Sequence, residues 1–315
     1  MADRERGAAD AALLEARLED MIRIAERGET ALSPFLTPAE CVAAERFFAL
    51  RGMRGQVRLW GGYAEAERKR LYLLPEYFLA LPDLLPPEES DPAETLGDEA
   101  LTGVVSAVRI TGSGFRELSH RDYLGSLLGL GLERDALGDI AVQNPHEAVV
   151  FCTAKIRDFL FATLERVAND KVRCRAQSPD EPFTDGRQTI PVTDTVASAR
   201  LDCVVAALIG KSRETAREAI EGGLVEVDYQ PVLRGDRVLA PPLFLSVRGV
   251  GKFRLLPFEG ETRKGRLRLR AERFVCNHAD DYLQQTADNL LTFGYFSCDM
   301  GVRVIIRQFK VFVFE

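Results

Sequence analysis

Residues 200–228 read RLDCVVAALIGKSRETAREAIEGGLVEVD, and this stretch decides the fold of the C-terminal part of the chain. Leu201, Val204, Val205 and Leu208 recur at i, i+3, i+4 and i+7, which makes one apolar helix face. Gly210 stops that helix. Ser212 caps a second one, in which Ala216, Ala219 and Ile220 face inward before Gly222 and Gly223 end it. VEVD begins a strand, and LFLSVRG, FRLLPF and RLRLRAE supply further short strands. The sequence therefore predicts two short helices on a small curled sheet with one helical surface left open. Lys211, Arg213 and Arg217 belong to that surface, with Arg213 and Arg217 stacked at i, i+4 and Arg200 opening the first helix beside them.

These cations sit in an acidic protein of 315 residues and net charge −7. Residues 200–275 hold 15 Lys/Arg against 10 Asp/Glu, a net of +5, so the remainder of the chain carries −12. A positive module on an acidic body points to an anionic partner at one end. A chain of this length favours two or three domains. No apolar run approaches the roughly 18 residues of a membrane span. MADRERGAAD lacks the layout of a signal peptide, so a cytoplasmic protein is expected, with no membrane partner. The six cysteines are scattered without a C-x-x-C pair and read as reduced, mostly buried thiols.

Residues 8–27 space Leu13, Leu14, Leu18, Met21 and Ile22 helically, with Gly28 placed to end the helix. In SPFLTPAECVAAERFFAL, Thr37, Pro38 and Glu40 form a capping-box start. QVRLWGGYAEAERKRLYLL reads as strand, glycine turn and strand, with Arg68, Lys69 and Arg70 between. Short strands are predicted at RLYLL, VVSAVRIT, DIAV, AVVFCTA and KVRCRA, and helices at HRDYLGSLLGL and IRDFLFATLERVA. That order predicts an α+β sandwich with both helices on one sheet face, of ferredoxin or RNA-recognition-motif type. LPPEESDPAETLGDEA (85–100) reads as an acidic loop, and QSPDEPFTDGRQTIPVTDTVAS as a linker. The expected division is an α-rich N-terminal domain (1–69), a middle α+β domain (70–180), the C-terminal helix-and-sheet domain (181–275) and an atypical tail (276–315). The tail ends in VRVIIRQFKVFVFE, which is rich in strand formers. It adds an edge strand or holds a partner, or else is a read-through or a sticky end.

The C-terminal pattern resembles the S4 RNA-binding domain through RLD at 200–202, KSRETAREAIEGGLVEVD at 211–228, and GDRV followed by LSVRGVGKFRL. GGYAEAERKR (61–70), LSHRDYLGSLLGLGLERDALGDI (118–140), RGVGKFRL (248–255) and GETRKGRLRL (260–269) extend the resemblance to the YlmH-type, RqcP-like family. The resemblance implies a helical N-terminal domain, an RNA-recognition-motif-like middle domain and a C-terminal S4 domain. It implies a non-catalytic factor without cofactor or small-molecule substrate. Such a factor binds the large ribosomal subunit, its rRNA and peptidyl-tRNA, and supports C-terminal tailing of stalled nascent chains in ribosome-associated quality control. The RNA-binding residues expected are Arg200, Lys211, Ser212, Arg213 and Arg217 on the helix pair. Arg248, Lys252, Arg254, Arg263, Lys264 and Arg266 are expected on the glycine-punctuated run that follows. One departure is Asp228–Tyr229, where many S4 domains carry Asn-Gly or Asn-Lys; a carboxylate there repels a nearby phosphate.

The helix cations also suit a solvated face with Glu214 and Glu218 as partners. His120 and Asp122 invite a general acid/base reading, but Ser119 as N-cap and Asp122 at the third helical position explain them as a helix start. Cys276, His278 and Asp280 lack a fourth metal ligand at proper spacing. No aromatic-rich strand marks the middle sheet as a base-stacking platform. The rival class is an RNA-modifying enzyme with S4 as its RNA handle, either a pseudouridine synthase or an rRNA methyltransferase. For the latter, ITGSGF (110–115) is the only glycine-rich candidate loop. An S4 adaptor of photosynthetic organisms is a further alternative.

Overall fold

The computed structural model describes residues 2–88, 90–96, 105–178, 181–275, 303–307 and 310–314. At the N-terminus α1 (Ala2–Glu26) is followed by β1 (Ala31–Leu36), α2 (Pro38–Leu50), β2 (Val57–Trp60) and β3 (Lys69–Leu73). The strands form a sheet of order β1-β3-β2. Leu14, Leu18 and Met21 of α1 are buried as the spacing predicts, against Phe48 of α2 and Leu71 and Leu73 of β3, while Leu13 is exposed. The capping box opens α2: Thr37 N donates to Glu40 Oε2 at 2.7 Å and Glu40 N to Thr37 Oγ1 at 3.3 Å. RLYLL therefore pairs within the N-terminal sheet, and position 70 lies inside β3 rather than at the start of the middle sheet.

After the short α3 (Pro92–Leu96), the middle of the chain runs β4 (Val105–Gly112), α4 (His120–Gly129), β5 (Leu137–Asn144), β6 (Glu147–Thr153), α5 (Ala154–Thr163), β7 (Arg166–Val167) and β8 (Asp170–Ala176). The sheet order is β5-β6-β4-β8-β7, the antiparallel order of a ferredoxin-like fold. Strand alternation separates two faces. Val108, Ile110, Ala148, Val150 and Cys152 pack on Tyr123 and Leu127 of α4 and Leu160 of α5. On the other face Val105, Val149 and Phe151 are covered by Phe35, Trp60, Tyr63 and Phe183. The face that a recognition motif would offer to RNA is thus buried against the N-terminal unit.

The C-terminal part comprises β9 (Gln188–Val196), α6 (Leu201–Ile209), α7 (Arg213–Glu221), β10 (Val225–Val227), β11 (Gln230–Pro231), β12 (Leu243–Val247), β13 (Gly251–Leu255) and β14 (Leu267–Val275). Its sheet has the order β11-β10-β12-β13-β14-β9, and Leu201, Val204, Val205, Leu208, Ala216 and Ile220 cover it. Gly210 ends α6 at φ 62°, in the left-handed region. Much of the expected linker is β9, which pairs with β14 from Gln188↔Val275 to Val196↔Leu267. Its exposed Thr-rich pattern and Pro191 are those of an edge strand. In the tail, β15 (Arg303–Arg307) pairs with β16 (Lys310–Phe314) as a hairpin. Cys276, His278 and Asp280 lie outside the described residues.

Candidate nucleic-acid interface

Burying Asp202 organises the open face of the helix pair. This first-turn residue of α6 is 1% exposed, and four hydrogen bonds from two guanidiniums compensate its charge. Arg200 donates to Oδ1 at 3.2 Å and Oδ2 at 3.1 Å; Arg213 donates twice to Oδ2, at 3.0 and 2.8 Å. Burial pushes the Asp202 carboxyl up, but these bonds outweigh it and hold the group at about 2. Arg213 remains more than half exposed, so it bridges the core to the surface. Ser212 caps α7 by accepting from Thr215 N at 3.1 Å. Lys211 and Arg217 are exposed, the latter only 3.8 Å from Glu221 across one turn. Arg248 lies beyond the other end of α7, its N–H donating to Leu224 O at 2.8 Å.

The remaining predicted cations separate into two further groups. Arg263 and Lys264 are exposed on the loop before β14. Arg266 of that loop is fastened to β9, donating to Thr195 Oγ1 at 3.0 Å and to the Thr195 carbonyl. Lys252 and Arg254 face the N-terminal unit instead of open solvent. The Lys252 ammonium pairs with Glu67 and donates to Tyr229 Oη at 2.9 Å, inside a box formed by the rings of Tyr229, Phe244 and Phe274 at 4.7, 4.9 and 5.3 Å. Arg254 pairs with Glu65 and lies 3.9 Å from Glu272. In this arrangement both side chains hold domains together.

Glu65 and Glu67 come from GGYAEAERKR, and other residues of that motif bond both across the seam and within the N-terminal sheet. Asp139 of β5 accepts from Tyr63 Oη at 2.7 Å and from the N–H groups of Glu67 and Arg68 at 2.7 and 3.0 Å. Arg68 donates to the carbonyls of Leu137, Phe35 and Arg134 at 3.0–3.1 Å, and Arg70 to Ser33 O at 2.7 Å. Arg187, just before β9, reaches Tyr63 Oη at 2.9 Å and Glu67 at 3.3 Å. Burial works against its charge, but Tyr63, Glu67 and Asp139 outweigh this and raise its pKa. Gly62, at φ +101°, leaves no room for a side chain, since a Cβ there would lie 2.2 Å from Phe151 Cδ1. A cleft of about 1100 Å³ follows this seam, and Arg68, Arg134 and Arg187 in its wall face Glu67, Glu117, Asp139 and Asp185.

Ser119 and Asp122 form a reciprocal capping box, with Asp122 N donating to Ser119 Oγ at 3.2 Å and Ser119 N to Asp122 Oδ2 at 2.9 Å. Asp228 and Tyr229 both have positive φ, 48° and 60°, as the two-residue β10–β11 hairpin turn requires; this is why Asn-Gly suits the position. The Asp228 carboxylate turns inward to accept from Phe244 N at 2.9 Å, and burial raises the pKa of the Tyr229 hydroxyl. Burial likewise pushes the thiols of Cys41 and Cys152 up to about 12.

The helix pair on its sheet and the open α7 face define an S4-domain protein, and the model of the S4 domain matches residues 199–240. The model described as "YlmH, N-terminal" matches residues 11–78, and "Putative RNA-binding domain in YlmH" matches residues 105–181. "Ribosome-associated protein quality control protein P2" of Bacillus subtilis (strain 168) is 31% identical over 266 residues, covering 83% of this chain and 94% of that relative. The chain belongs to the YlmH family. A solved structure described as "Cell division protein ylmH from Streptococcus pneumoniae" aligns at 18% identity and a TM-score of 0.40, over 56% of this chain and 93% of that one.

Proposed function

We propose that the protein is a non-catalytic RNA-binding factor that docks on the large ribosomal subunit, contacts rRNA and tRNA, and serves ribosome-associated quality control of stalled nascent chains. The observation that carries this reading is the α7 face. Lys211 in the turn between the helices and Arg213 and Arg217 on α7 are exposed, and the bonds from Arg213 to buried Asp202 tie α7 to α6. A fixed row of cations suits phosphate oxygens on a folded RNA and selects shape more than sequence. The name of the Bacillus relative supports the process. Arg248, Arg263 and Lys264 extend the proposed contact; Arg200, Ser212 and Arg266 orient it; Lys252 and Arg254 contribute through the domain interface. ITGSGF gives the methyltransferase alternative little support, because the chain after it is tied to other loops before α4 begins at His120.

The test is sedimentation of the tagged protein through a sucrose gradient of cell lysate. Comigration with free large subunits is expected. Migration at the top of the gradient, under low-salt conditions that preserve weak complexes, would count against the reading.

A further inference from the structure

The β4–α4 loop, residues 113–119, presents a phenylalanine that the fold does not use. Phe115 is 97% exposed, the highest value among the large apolar side chains of the described residues. Single exposed apolar residues are ordinary on protein surfaces. This one differs in that its loop is held on two sides. Ser113 N donates to Asp170 Oδ2 at 2.9 Å, and the Ser113 hydroxyl bonds the other oxygen of the same carboxylate. Those two bonds lower the Asp170 pKa. On the far side Gly112 N donates to His146 O at 2.7 Å, Leu118 N to Pro145 O at 2.6 Å, and His146 Nδ1 lies 2.8 Å from Arg116 O. Gly112 is required, since a Cβ there would stand 2.7 Å from Asp170 Oδ2; Gly114 makes the bend at φ +89°. The ring is thus carried on a preorganised support.

Cations flank the loop in sequence and on one neighbouring strand, and the acid on the other, Glu147, is paired with Arg109 at 2.8 Å. Arg116 follows Phe115 in the loop. Lys171 and Arg173 lie on β8, the strand whose first residue anchors Ser113, and Arg173 pairs with Thr111 just before the loop. All three cations are exposed, and none has an ion pair among the described residues. Glu117 is the one acid of the loop, and the Asp170 carboxylate is already engaged. The usual stacking face of such a sheet is closed: Phe151 is buried, with Tyr63 at 4.9 Å and Phe183 at 5.6 Å between ring centroids.

We propose that Phe115, with Arg116, Lys171 and Arg173, forms a second RNA contact, in which the ring stacks on an unpaired base and the cations bind the flanking phosphates. An exposed aromatic beside unpaired cations is the arrangement that holds single-stranded nucleic acid, and an unstacked base in an RNA loop supplies the matching flat surface. The proposal rests on the RNA-binding reading and adds a chemical preference to it. The α7 face takes structured backbone, and this loop takes a single-stranded segment.

The test uses the full chain and two fluorescent RNAs, a hairpin with an unpaired loop and a blunt duplex of the same stem. Phe115→Ala is expected to weaken hairpin binding about 5- to 160-fold and to leave duplex binding unchanged, with Phe115→Trp restoring the hairpin preference. K171A/R173A is expected to reduce the log–log salt slope for the hairpin by about 1.4 to 1.8, at ~0.7–0.9 per lost phosphate contact. K211A/R217A serves as the control for the other face. If Phe115→Ala binds both RNAs as the parent does while K211A/R217A binds neither, the proposal is overturned and the S4 reading stands. If the parent binds neither RNA, the RNA-binding reading itself falls. Unchanged RNA binding by Phe115→Ala together with Phe115-dependent binding of a poly-glutamate peptide overturns the proposal in favour of a protein partner.

Discussion

Replacing Arg213 with alanine tests how the buried Asp202 carboxylate is held beneath the α7 face. In the folded protein Asp202 titrates at about 2, against an ordinary value of 3.8. At about 1.4 kcal/mol per pKa unit, the difference corresponds to roughly 2–3 kcal/mol of stability at neutral pH. Because the folded pKa is depressed, this contribution is present above about pH 4 and is lost as pH falls through about 2. Arg213 supplies two of the four side-chain bonds from arginine, and Arg200 keeps the others. Arg213→Ala should therefore cost about 1–2 kcal/mol, below the ~3–5 kcal/mol of leaving a buried charge wholly unpaired. For a domain of this size the loss lowers the melting temperature by roughly 4–16 °C. Arg217, exposed and only distantly paired, should tolerate alanine within about 0.5 kcal/mol. Circular dichroism melts of both variants and the parent from pH 7 down to pH 2 provide the assay. In Arg213→Ala the acid loss should also begin at higher pH, because the Asp202 carboxyl has lost part of what holds its proton off. If Arg213→Ala and the parent give coincident melting curves and acid profiles, the buried carboxylate does not depend on this arginine and the reasoning is refuted.

Three other predictions concern the seam and the tail. A double-mutant cycle with Lys252→Met and Glu67→Gln should give a coupling of about 1–2 kcal/mol in urea unfolding, and additive effects would show that this half-buried pair does not hold the units together. Gly62→Ala should destabilise the protein by more than about 2 kcal/mol through both its positive φ and its collision with Phe151; an unchanged melting temperature would contradict the close approach. Deleting residues 276–315 should leave the melting temperature unchanged, since β15 pairs with β16 while β14 pairs with β9 and β13; a fall of several degrees would assign the hairpin a structural role.

The elements that sequence made legible are those whose signals are local. Thr37-Pro38-Glu40 announces α2, the Leu201–Leu208 spacing with Gly210 announces α6, and the strand-helix order of 105–176 announces the ferredoxin-like sheet. β1 escaped because Ser33-Pro34 interrupts its pattern, and the register shifts between Leu32 and Phe35. β9 escaped because an exposed edge strand with Pro191 reads like a linker. The partners of Lys252 and Arg254 were not legible at all. Glu67 and Glu65 lie more than 180 residues away, and a glycine-punctuated basic run looks the same whether its anion is a phosphate or a carboxylate of the same chain. Asp202 could have been suspected, because an acid flanked by buried residues on a helix needs a counter-charge and RLD supplies one.

Whether the exposed cations on α7 and at its two ends grip the large ribosomal subunit is measured by cosedimentation with purified large subunits. The variant to compare is Lys211→Glu/Arg217→Glu/Arg248→Glu, which leaves Arg213 in place to hold Asp202 and so spares the fold. The parent should pellet with subunits at low salt and be released as salt rises, while the triple variant, with an unchanged melting temperature, should remain in the supernatant at every salt concentration. A folded triple variant that pellets like the parent would contradict the account.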